Sequence, residues 1–415
     1  MSSCRFRTQP LQAMTAPPRH AGRIVALLCL AEALSMAGFA AYPAFLPTLR
    51  SEWQMSEAAA GTIGGAFFFG YMVAVPFLSG ITDRIDARVV FVFSCLLAAL
   101  GTAAFGLAAH GAVTGALLQA LAGAGLAGTY MPGLKALTDR VEGPRQSRYI
   151  AFYTATFGIG TTLSLLAAGT LGQRLSWQAA IALLAAGPTL AALILFLGLA
   201  PHHREGARHA PWWPRFGPVL ALREIRGYIV GYAVHCWELF GLRSWMVAFI
   251  AFAYAASQAQ PWLSPTEAAA LINLLGLPAS ILGNEAAGKV GRLRWIGGIM
   301  AVSGVLCWLA GASAALPWGL MLAALSLHFV AVMADSAALT AGLVAATPPS
   351  QRGAAMALYS MLGFGAGFVA PLVFGATLDL AGGNTSHGAW LLAFGTLGTG
   401  GLIWTMRWRR RGGAV

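Results

Sequence analysis

The sequence predicts an all-α membrane protein whose twelve transmembrane helices form two pseudo-symmetric six-helix bundles. Its composition is the first indication: 58% of the 415 residues are hydrophobic, only 10% are charged, and the mean hydropathy is +0.69. Soluble proteins carry about 25% charged residues. The second indication is a regular placement of basic residues between apolar runs, and the third is an internal repeat. Together they exclude an ordinary soluble domain.

The apolar runs divide the chain into twelve spans, because one spanning helix needs roughly 20 apolar residues. We predict helices over 24–47, 58–80, 88–109, 111–134, 149–171, 177–200, 226–254, 266–288, 294–314, 317–345, 352–378 and 386–407. The basic segment 201–225 is the longest polar interruption. The predicted domains are a tail (1–22), a six-helix bundle (23–200), a linker (201–225), a second bundle (226–408) and a tail (409–415).

The basic residues indicate the orientation of these spans. Of the 26 lysines and arginines, 23 lie before the first span, after the last one or in every second gap. The opposite face has only Arg50 and Arg174, and Arg243 lies inside the seventh span. Positive loops stay cytoplasmic, so we predict that both termini, the linker and the tails are cytoplasmic. Only two of the 26 are lysine, which favours a bacterial protein and hence the inner membrane.

The two halves repeat each other at an offset of 205–206 residues. In the fifth and eleventh spans this offset relates Tyr153, Gly158 and Gly160 to Tyr359, Gly363 and Gly365. The turn after the second span, 83–86, has a weaker counterpart at 288–292 after the eighth. Parallel six-helix repeats are typical of transporters whose binding site lies between the halves.

The segment from Ser79 to Arg88 carries a more specific signal. It resembles the signature G-x-x-x-D-R-x-G-R-R of the major facilitator superfamily, in the loop between the second and third helices. Asp83, Arg84 and Arg88 match it, whereas Ser79, Asp86 and Ala87 depart from it. The resemblance, with twelve spans and a central linker, extends over nearly the whole chain and implies the major facilitator fold.

The resemblance also implies a role for this turn as a cytoplasmic latch. Asp83 would accept hydrogen bonds from the start of a helix in the other half, and Arg84 and Arg88 would complete a charge network. A carboxylate is stabilised at a helix N-terminus, so the arrangement is physically sound. The alternative is a tight turn whose arginines only hold the loop on the cytoplasmic side.

Two signatures of the same superfamily are missing. The fourth helix has Gln119 where proton-coupled members carry a buried arginine, which weakens that mechanism. The fifth helix lacks the Gly-Pro pair of drug/proton antiporters, which lowers the case for multidrug efflux.

Ionisable residues inside the spans are candidate functional groups, because each is costly near the bilayer centre. Glu32 in the first span and Glu238 in the seventh are 206 residues apart, the offset of the repeat. In the superfamily that the chain resembles, these two helices line the cavity. We therefore expect the two carboxylates to face each other across the transport path and one of them to exchange a proton. The alternative is a fixed structural pairing of each acid with a cation.

The seventh span holds further candidates. His235 and Glu238 are three residues apart and share a helix face. Arg243 lies about 140° around the helix from Glu238, so we expect it to pair with Asp335 or Glu32 or to hold an anionic substrate. Asp335 falls in the cytoplasmic third of the tenth span and could belong to a gate. His328 is expected to be a packing histidine.

The remaining motifs favour a transporter without a cofactor. The stretch Gly283 to Lys289 matches G-x-x-x-x-G-K, but Val290 follows where a phosphate-binding loop needs Ser or Thr. The five cysteines are scattered without a C-x-x-C pair, so we expect neither a metal site nor a disulfide framework. The net charge of +12 reflects membrane topology, and we expect no nucleic-acid partner.

We therefore expect a monomeric secondary transporter, not an enzyme, in a lipid bilayer. Its predicted substrate is a small polar or anionic molecule moved by alternating access, with protons as the candidate coupling ion. Two alternatives stay open. One is proton-driven efflux of amphipathic drugs, which needs an apolar cavity. The other is a non-transporting sensor or scaffold, which would have a sealed interface between its halves.

Overall fold

The computed structural model describes residues 21–142, 145–202, 215–257, 261–348 and 351–412. Of the predicted tails, only residues 21, 22 and 409–412 are described, and of the predicted linker only residues 201, 202 and 215–225. The helices are α1 Ala21–Ser35, α2 Ala41–Glu52, α3 Glu57–Ile81, α4 Ala87–Ala108, α5 Ala112–Leu126, α6 Tyr130–Thr138, α7 Gln146–Gly172, α8 Trp177–Leu184, α9 Ala186–Gly198, α10 Phe216–Ala221, α11 Arg223–Ala256, α12 Pro265–Leu274, α13 Gly276–Val290, α14 Arg292–Ala312, α15 Trp318–Met333, α16 Ser336–Ala346, α17 Arg352–Leu380 and α18 His387–Gly412.

Within the described residues, eleven helical stretches are long and apolar enough to cross a membrane, and they match the second to twelfth predicted spans. Four of them are pairs of short helices: α5–α6, α8–α9, α12–α13 and α15–α16. The first predicted span, 24–47, is present as α1 and α2, but the continuous helix predicted there is wrong. Residues 36–40 form a turn that separates the two.

Prolines explain most of these interruptions. The second helix of four broken spans has proline as its third residue, namely Pro43, Pro132, Pro188 and Pro278. Proline lacks an N–H and its ring clashes with the carbonyl four residues earlier, so a continuous helix ends there. Pro371 is an exception, because α17 continues through it.

Side chains from neighbouring helices satisfy backbone groups at these interruptions. At the first break, the hydroxyl of Ser164 accepts a hydrogen bond from the N–H of Ala40 at 2.9 Å and donates to the carbonyl of Ala37 at 2.7 Å. At the break in the tenth span, Trp295 donates to the carbonyl of Ala334 at 2.9 Å. Unpaired backbone groups are costly in an apolar surrounding, so these contacts make the breaks stable.

The spans form two bundles, α1–α9 and α11–α18. We call the side that holds the chain ends and the 82–86 turn the termini face, and the opposite side the far face. Within the described residues, most of the contact between the bundles comes from three helix pairs: α3 with α17, α7 with α12, and α2 with α11. Since α2 and α12 are the far-face segments of their spans, the bundles are packed together most closely at the far face.

Glycines permit the close approach of α3 and α17. A Cβ atom on Gly61 would collide with the backbone carbonyl of Pro371, and one on Gly375 would collide with the carbonyl of Glu57. Small residues at such positions let helix backbones come into direct contact. The α3–α17 contact therefore brings the two bundles together along the far-face half of these helices.

Candidate functional site

A small cavity lies between the two bundles, with a volume of about 30 Å³. That is room for about two water molecules. Phenyl rings of Phe39, Phe67 and Phe68 form its apolar walls, and the polar groups on its surface belong to Tyr42, Gln119, Thr161, Arg243, Ser244 and Asn273. Both bundles contribute, so any parting of the bundles changes the size of this cavity.

Arg243 supplies the positive charge of the cavity. Its side chain is 9% exposed, and its Nε donates a hydrogen bond to Oδ1 of Asn273 at 3.0 Å. Its guanidinium carbon lies 5.8 Å from the ring centroid of Phe157 and 5.7 Å from that of Phe329. Among the described residues, no carboxylate forms an ion pair with it. The pairing with Asp335 or Glu32 that the sequence suggested is therefore wrong, because Asn273 is closer and occupies Nε.

Gln119 lies on the same cavity from the other bundle and is 6% exposed. In the sequence this position stands out only as the site of a missing arginine. The cavity therefore has its one arginine on the C-terminal bundle and an amide on the N-terminal bundle.

Glu32 lies inside the N-terminal bundle and is fully buried. Its Oε2 is 3.1 Å from the hydroxyl of Tyr153, which is also 3.1 Å from the backbone carbonyl of Thr129. Its Oε1 has no hydrogen-bond partner among the described residues. Burial without a partner is unfavourable for a carboxylate, and here the neighbouring groups are uncharged hydroxyls.

Glu238 is buried inside the C-terminal bundle and points away from the cavity. Its Oε1 lies 2.8 Å from Nε2 of His328 and accepts a hydrogen bond from the hydroxyl of Ser303. The expectation that Glu32 and Glu238 face each other is not met, because α14 and α15 offer Glu238 two donors in an otherwise apolar core. His328 is a partner of the carboxylate as well as a packing residue.

A second histidine–carboxylate pair lies one turn away on the same helix. Nδ1 of His235 is 2.7 Å from Oδ1 of Asp335, which stands at the break between α15 and α16. The two atoms are within ion-pair distance, but they are not aligned for a hydrogen bond. His235 and Glu238 thus both contact the span α15–α16, as their shared helix face predicts.

One group of side chains could be considered as a metal site. The potential ligand atoms of Glu238, Cys307 and His328 lie within 4.8 Å of one another, and all three residues are buried. However, the thiol of Cys307 lies 2.9 Å from the carbonyl of Phe394, and His328 already contacts Glu238. These contacts satisfy the groups, and a structural zinc site uses four ligands. The arrangement fits a hydrogen-bonded core better than a metal centre.

The predicted latch turn forms a network within the N-terminal bundle. Asp83 is exposed, with Oδ1 3.8 Å from Nζ of Lys135, and Arg84 is exposed beside it. Arg88 donates to the carbonyls of Leu195 and Phe196 at the end of α9. The capping of a helix in the other half by Asp83 stays a prediction.

Asp86, where the family signature has glycine, is the centre of this network. Arg140 donates to both of its oxygens at 2.8 Å, and the N–H of His202 donates at 2.8 Å. Partial burial opposes ionisation, but these bonds, with one from the N–H of Arg88, hold the pKa of Asp86 below its usual value. The departure from the signature therefore adds a charged contact to this turn.

A hydrogen-bonded contact on the far face joins the two bundles. Asp379, at the end of α17, accepts bonds from the N–H groups of Glu57 at 2.9 Å and Ala58 at 2.8 Å, in the first turn of α3. Glu57 also forms an ion pair with Arg50 at 3.0 Å. A carboxylate at a helix N-terminus is favourable, so this contact stabilises the closed far face. Asp379 has no local signal in the sequence, because its role depends on the pairing of α3 with α17.

Two six-helix bundles with a small cavity between them are typical of a membrane transporter, and comparison with known proteins gives the family. The model of the Major Facilitator Superfamily matches residues 28–268, more than half of the chain. The chain belongs to the Major Facilitator Superfamily.

Solved structures of transporters share the fold over almost the whole chain. A bacterial homolog of the human lysosomal transporter Spinster, in an inward-facing and unoccupied conformation, superposes with a TM-score of 0.71 at 15% identity, covering 94% of this chain and 95% of that one. A mutant of the nucleoside transporter NupG gives a TM-score of 0.72 at 14% identity, covering 93% and 99%.

A curated relative is similar over a shorter stretch. It is the gentisate transporter of Corynebacterium glutamicum, which is 30% identical over 121 residues. The match spans 29% of this chain and 27% of the relative, about a quarter of its length.

Proposed function

We propose that this protein is a secondary transporter of small organic anions, with aromatic carboxylates as the preferred class and protons as the coupling ion. The observation that carries the proposal is Arg243, a buried guanidinium on the central cavity that forms no ion pair with a described carboxylate. A buried charge without a counter-ion is unfavourable. An incoming carboxylate would remove that penalty and could use the planar fork of the arginine for two parallel hydrogen bonds.

The walls of the cavity support an aromatic substrate. Phe39 and Phe67 have ring centroids 5.5 Å apart at an interplanar angle of 79°, and Phe39 meets Phe68 at 6.3 Å and 76°. Edge-to-face arrangements of this kind are favourable between aromatic rings, so a substrate ring could join the cluster. The relative from Corynebacterium glutamicum, named for gentisate transport, supports the same class.

The geometry of Glu32 supports protons as the coupling ion. The hydroxyl hydrogen of Tyr153 lies between two acceptors, Oε2 of Glu32 and the carbonyl of Thr129, and can be donated to one at a time. If Glu32 carries a proton, it donates to the Tyr153 oxygen while Tyr153 donates to Thr129, and both contacts are satisfied. The buried site is therefore best suited to the protonated acid.

The size of the cavity and the packing of the bundles support alternating access. A volume of about 30 Å³ is too small for an aromatic acid, so the bundles must part to admit one. The contacts between α2 and α11 and between α7 and α12 would have to separate for the far face to open. We place the protein in the bacterial inner membrane with both termini cytoplasmic, as the basic loops indicate.

Uptake into proteoliposomes tests the proposal. We expect the wild type to take up radiolabelled benzoate or gentisate and to discriminate against neutral benzamide. Arg243→Gln should lower uptake roughly 10- to 100-fold, since a charge-assisted hydrogen bond contributes about 1.5–3 kcal/mol. Arg174→Gln, at an exposed position on the far face, is the matched control and should behave as the wild type.

Two results would contradict the proposal. One is full carboxylate uptake by Arg243→Gln with unchanged thermal stability, which would remove the arginine from the binding site. The other is an absence of carboxylate uptake together with proton-driven export of amphipathic cations. That result would favour drug efflux through an aromatic cavity.

A further inference from the structure

Asn273 holds Arg243 through a contact whose direction is fixed by its other bonds. Its Nδ2 donates to the carbonyl of Ala269 at 2.9 Å, one helical turn earlier, and lies 3.7 Å from Sδ of Met246. The amide oxygen therefore faces Nε of Arg243, at 3.0 Å. Asn273 is 2% exposed, so no bulk water competes for this oxygen.

This contact uses one side of the guanidinium and leaves the other available. Arginine has five N–H donors in a rigid fork, of which Nε carries one. The phenyl rings of Phe157 and Phe329 interact with the cation through their faces and do not neutralise its charge. The two terminal nitrogens can therefore form a bidentate contact with a carboxylate.

Two other arginines at helix ends have carboxylate partners, in contrast to Arg243. Arg140 is paired with Asp86 at 2.8 Å, and Arg50 is paired with Glu57 at 3.0 Å. An aspartate at position 273 would have nearly the same shape as asparagine and would complete a third pair. With asparagine there, the arginine is oriented but its charge is not compensated.

We propose that Asn273 is a specificity-determining residue: its uncharged amide positions Arg243 while it leaves the cavity positively charged, and this sets the preference for anionic over neutral substrates. The inference rests on the proposed function, in which Arg243 binds the substrate carboxylate. It adds that the absence of a negative charge at position 273 is what makes that binding possible. Asn273 itself acts through Arg243 and need not touch the substrate.

Two substitutions separate the charge of this side chain from its packing. Asn273→Asp keeps the shape and the acceptor and adds a negative charge, whereas Asn273→Leu keeps the volume and removes the acceptor. The assay measures the KM for benzoate and gentisate uptake, the inhibition by benzamide and the thermal stability of each variant. Arg243→Gln is included as the reference for a cavity without its positive charge.

We expect Asn273→Asp to raise the KM for the carboxylates about 100-fold, because an internal carboxylate then occupies the guanidinium. Its thermal stability should stay at or above that of the wild type, and the preference for benzoate over benzamide should be lost. Asn273→Leu should raise the KM only about tenfold or less, because the positive charge remains.

The outcomes distinguish the inference from the proposed function. If Arg243→Gln is inactive and Asn273→Asp transports as the wild type does, the inference is wrong and the function stands. If Asn273→Asp and Asn273→Leu raise the KM equally, the charge at position 273 has no effect and Asn273 has a packing role only. If wild type takes up neither carboxylate, the proposed function fails and the inference fails with it.

Discussion

The two bundles use buried carboxylates in different ways, although the repeat places them at matching positions. In the N-terminal bundle, Glu32 is surrounded by hydroxyl groups and has one oxygen without a partner. In the C-terminal bundle, Glu238 and Asp335 each contact a histidine, at 2.8 Å and 2.7 Å. Duplication has thus preserved the position of the acid but not its chemistry. We infer a division of roles, with proton exchange in one half and a fixed polar core beside Arg243 in the other.

The tyrosines of the repeat show the same divergence. Tyr153 contacts Glu32, but its counterpart Tyr359 contacts the hydroxyl of Thr340 at 2.9 Å. Glu238 is not available to Tyr359, because it is turned toward Ser303 and His328. The local partner therefore decides what each acid can do, and the following predictions test that conclusion.

The largest expected effect comes from Glu32→Gln. A pH gradient of one unit stores about 1.4 kcal/mol per proton and can drive about tenfold accumulation. Glu32→Gln should abolish this accumulation of labelled carboxylate in proteoliposomes, because the glutamine amide cannot bind and release a proton. The rate of substrate exchange across the membrane in the absence of a pH gradient should stay within about twofold of the wild-type rate. Such exchange is not driven by the proton gradient. Glu238→Gln, the repeat counterpart, should still accumulate substrate; a reversed result would assign coupling to the C-terminal bundle.

A smaller effect, on stability, should distinguish His328 from Tyr153. His328→Phe leaves the buried carboxylate of Glu238 with Ser303 as its remaining donor, which should lower the free energy of unfolding by about 1–3 kcal/mol. Tyr153→Phe removes one neutral hydroxyl, so a loss of about 1 kcal/mol is expected. Thermal unfolding in detergent compares the two. Equal losses would mean that the histidine–carboxylate pair is no more important than the tyrosine contact.

The smallest effect concerns Asp86, whose counterpart 206 residues later is Arg292. Because folding lowers the pKa of Asp86, its ionised side chain stabilises the folded state at every pH above 3.8, the ordinary pKa of an aspartate. This stabilisation is lost as the pH falls through the lower pKa of the folded state. Wild type should therefore be more stable than Asp86→Asn at pH 7, and the difference should shrink below pH 3.8. Arg292→Gln in the other half should show no such acid dependence. A constant difference for Asp86→Asn across this range would exclude the ion pair as its cause.

The sequence predicted the spans, the two halves and the superfamily well, because each depends on long apolar runs or on a local motif. It also identified Arg243 as a candidate anion ligand. It did not predict which helix each charged side chain faces, since spacing fixes angles around one helix but not the rotation of that helix against its neighbours. For this reason the expectation that Glu32 and Glu238 face each other was wrong. Asn273 and Asp379 were missed because neither has a local signal.

One helix break occurs in both halves and bears on the history of the chain. The second segments of the fourth and tenth spans begin at Tyr130 and Ser336, 206 residues apart, whereas the breaks in the first, sixth and eighth spans have no counterpart in their partner helices. Pro132 lies just after the break in the fourth span, but no proline lies near the start of α16 in the tenth span. Proline is therefore not required for this break. The simplest history is that a single ancestral six-helix chain already carried this break before it was duplicated. The other breaks would then be later acquisitions of one copy, and the shared one would be the oldest helix break in the molecule.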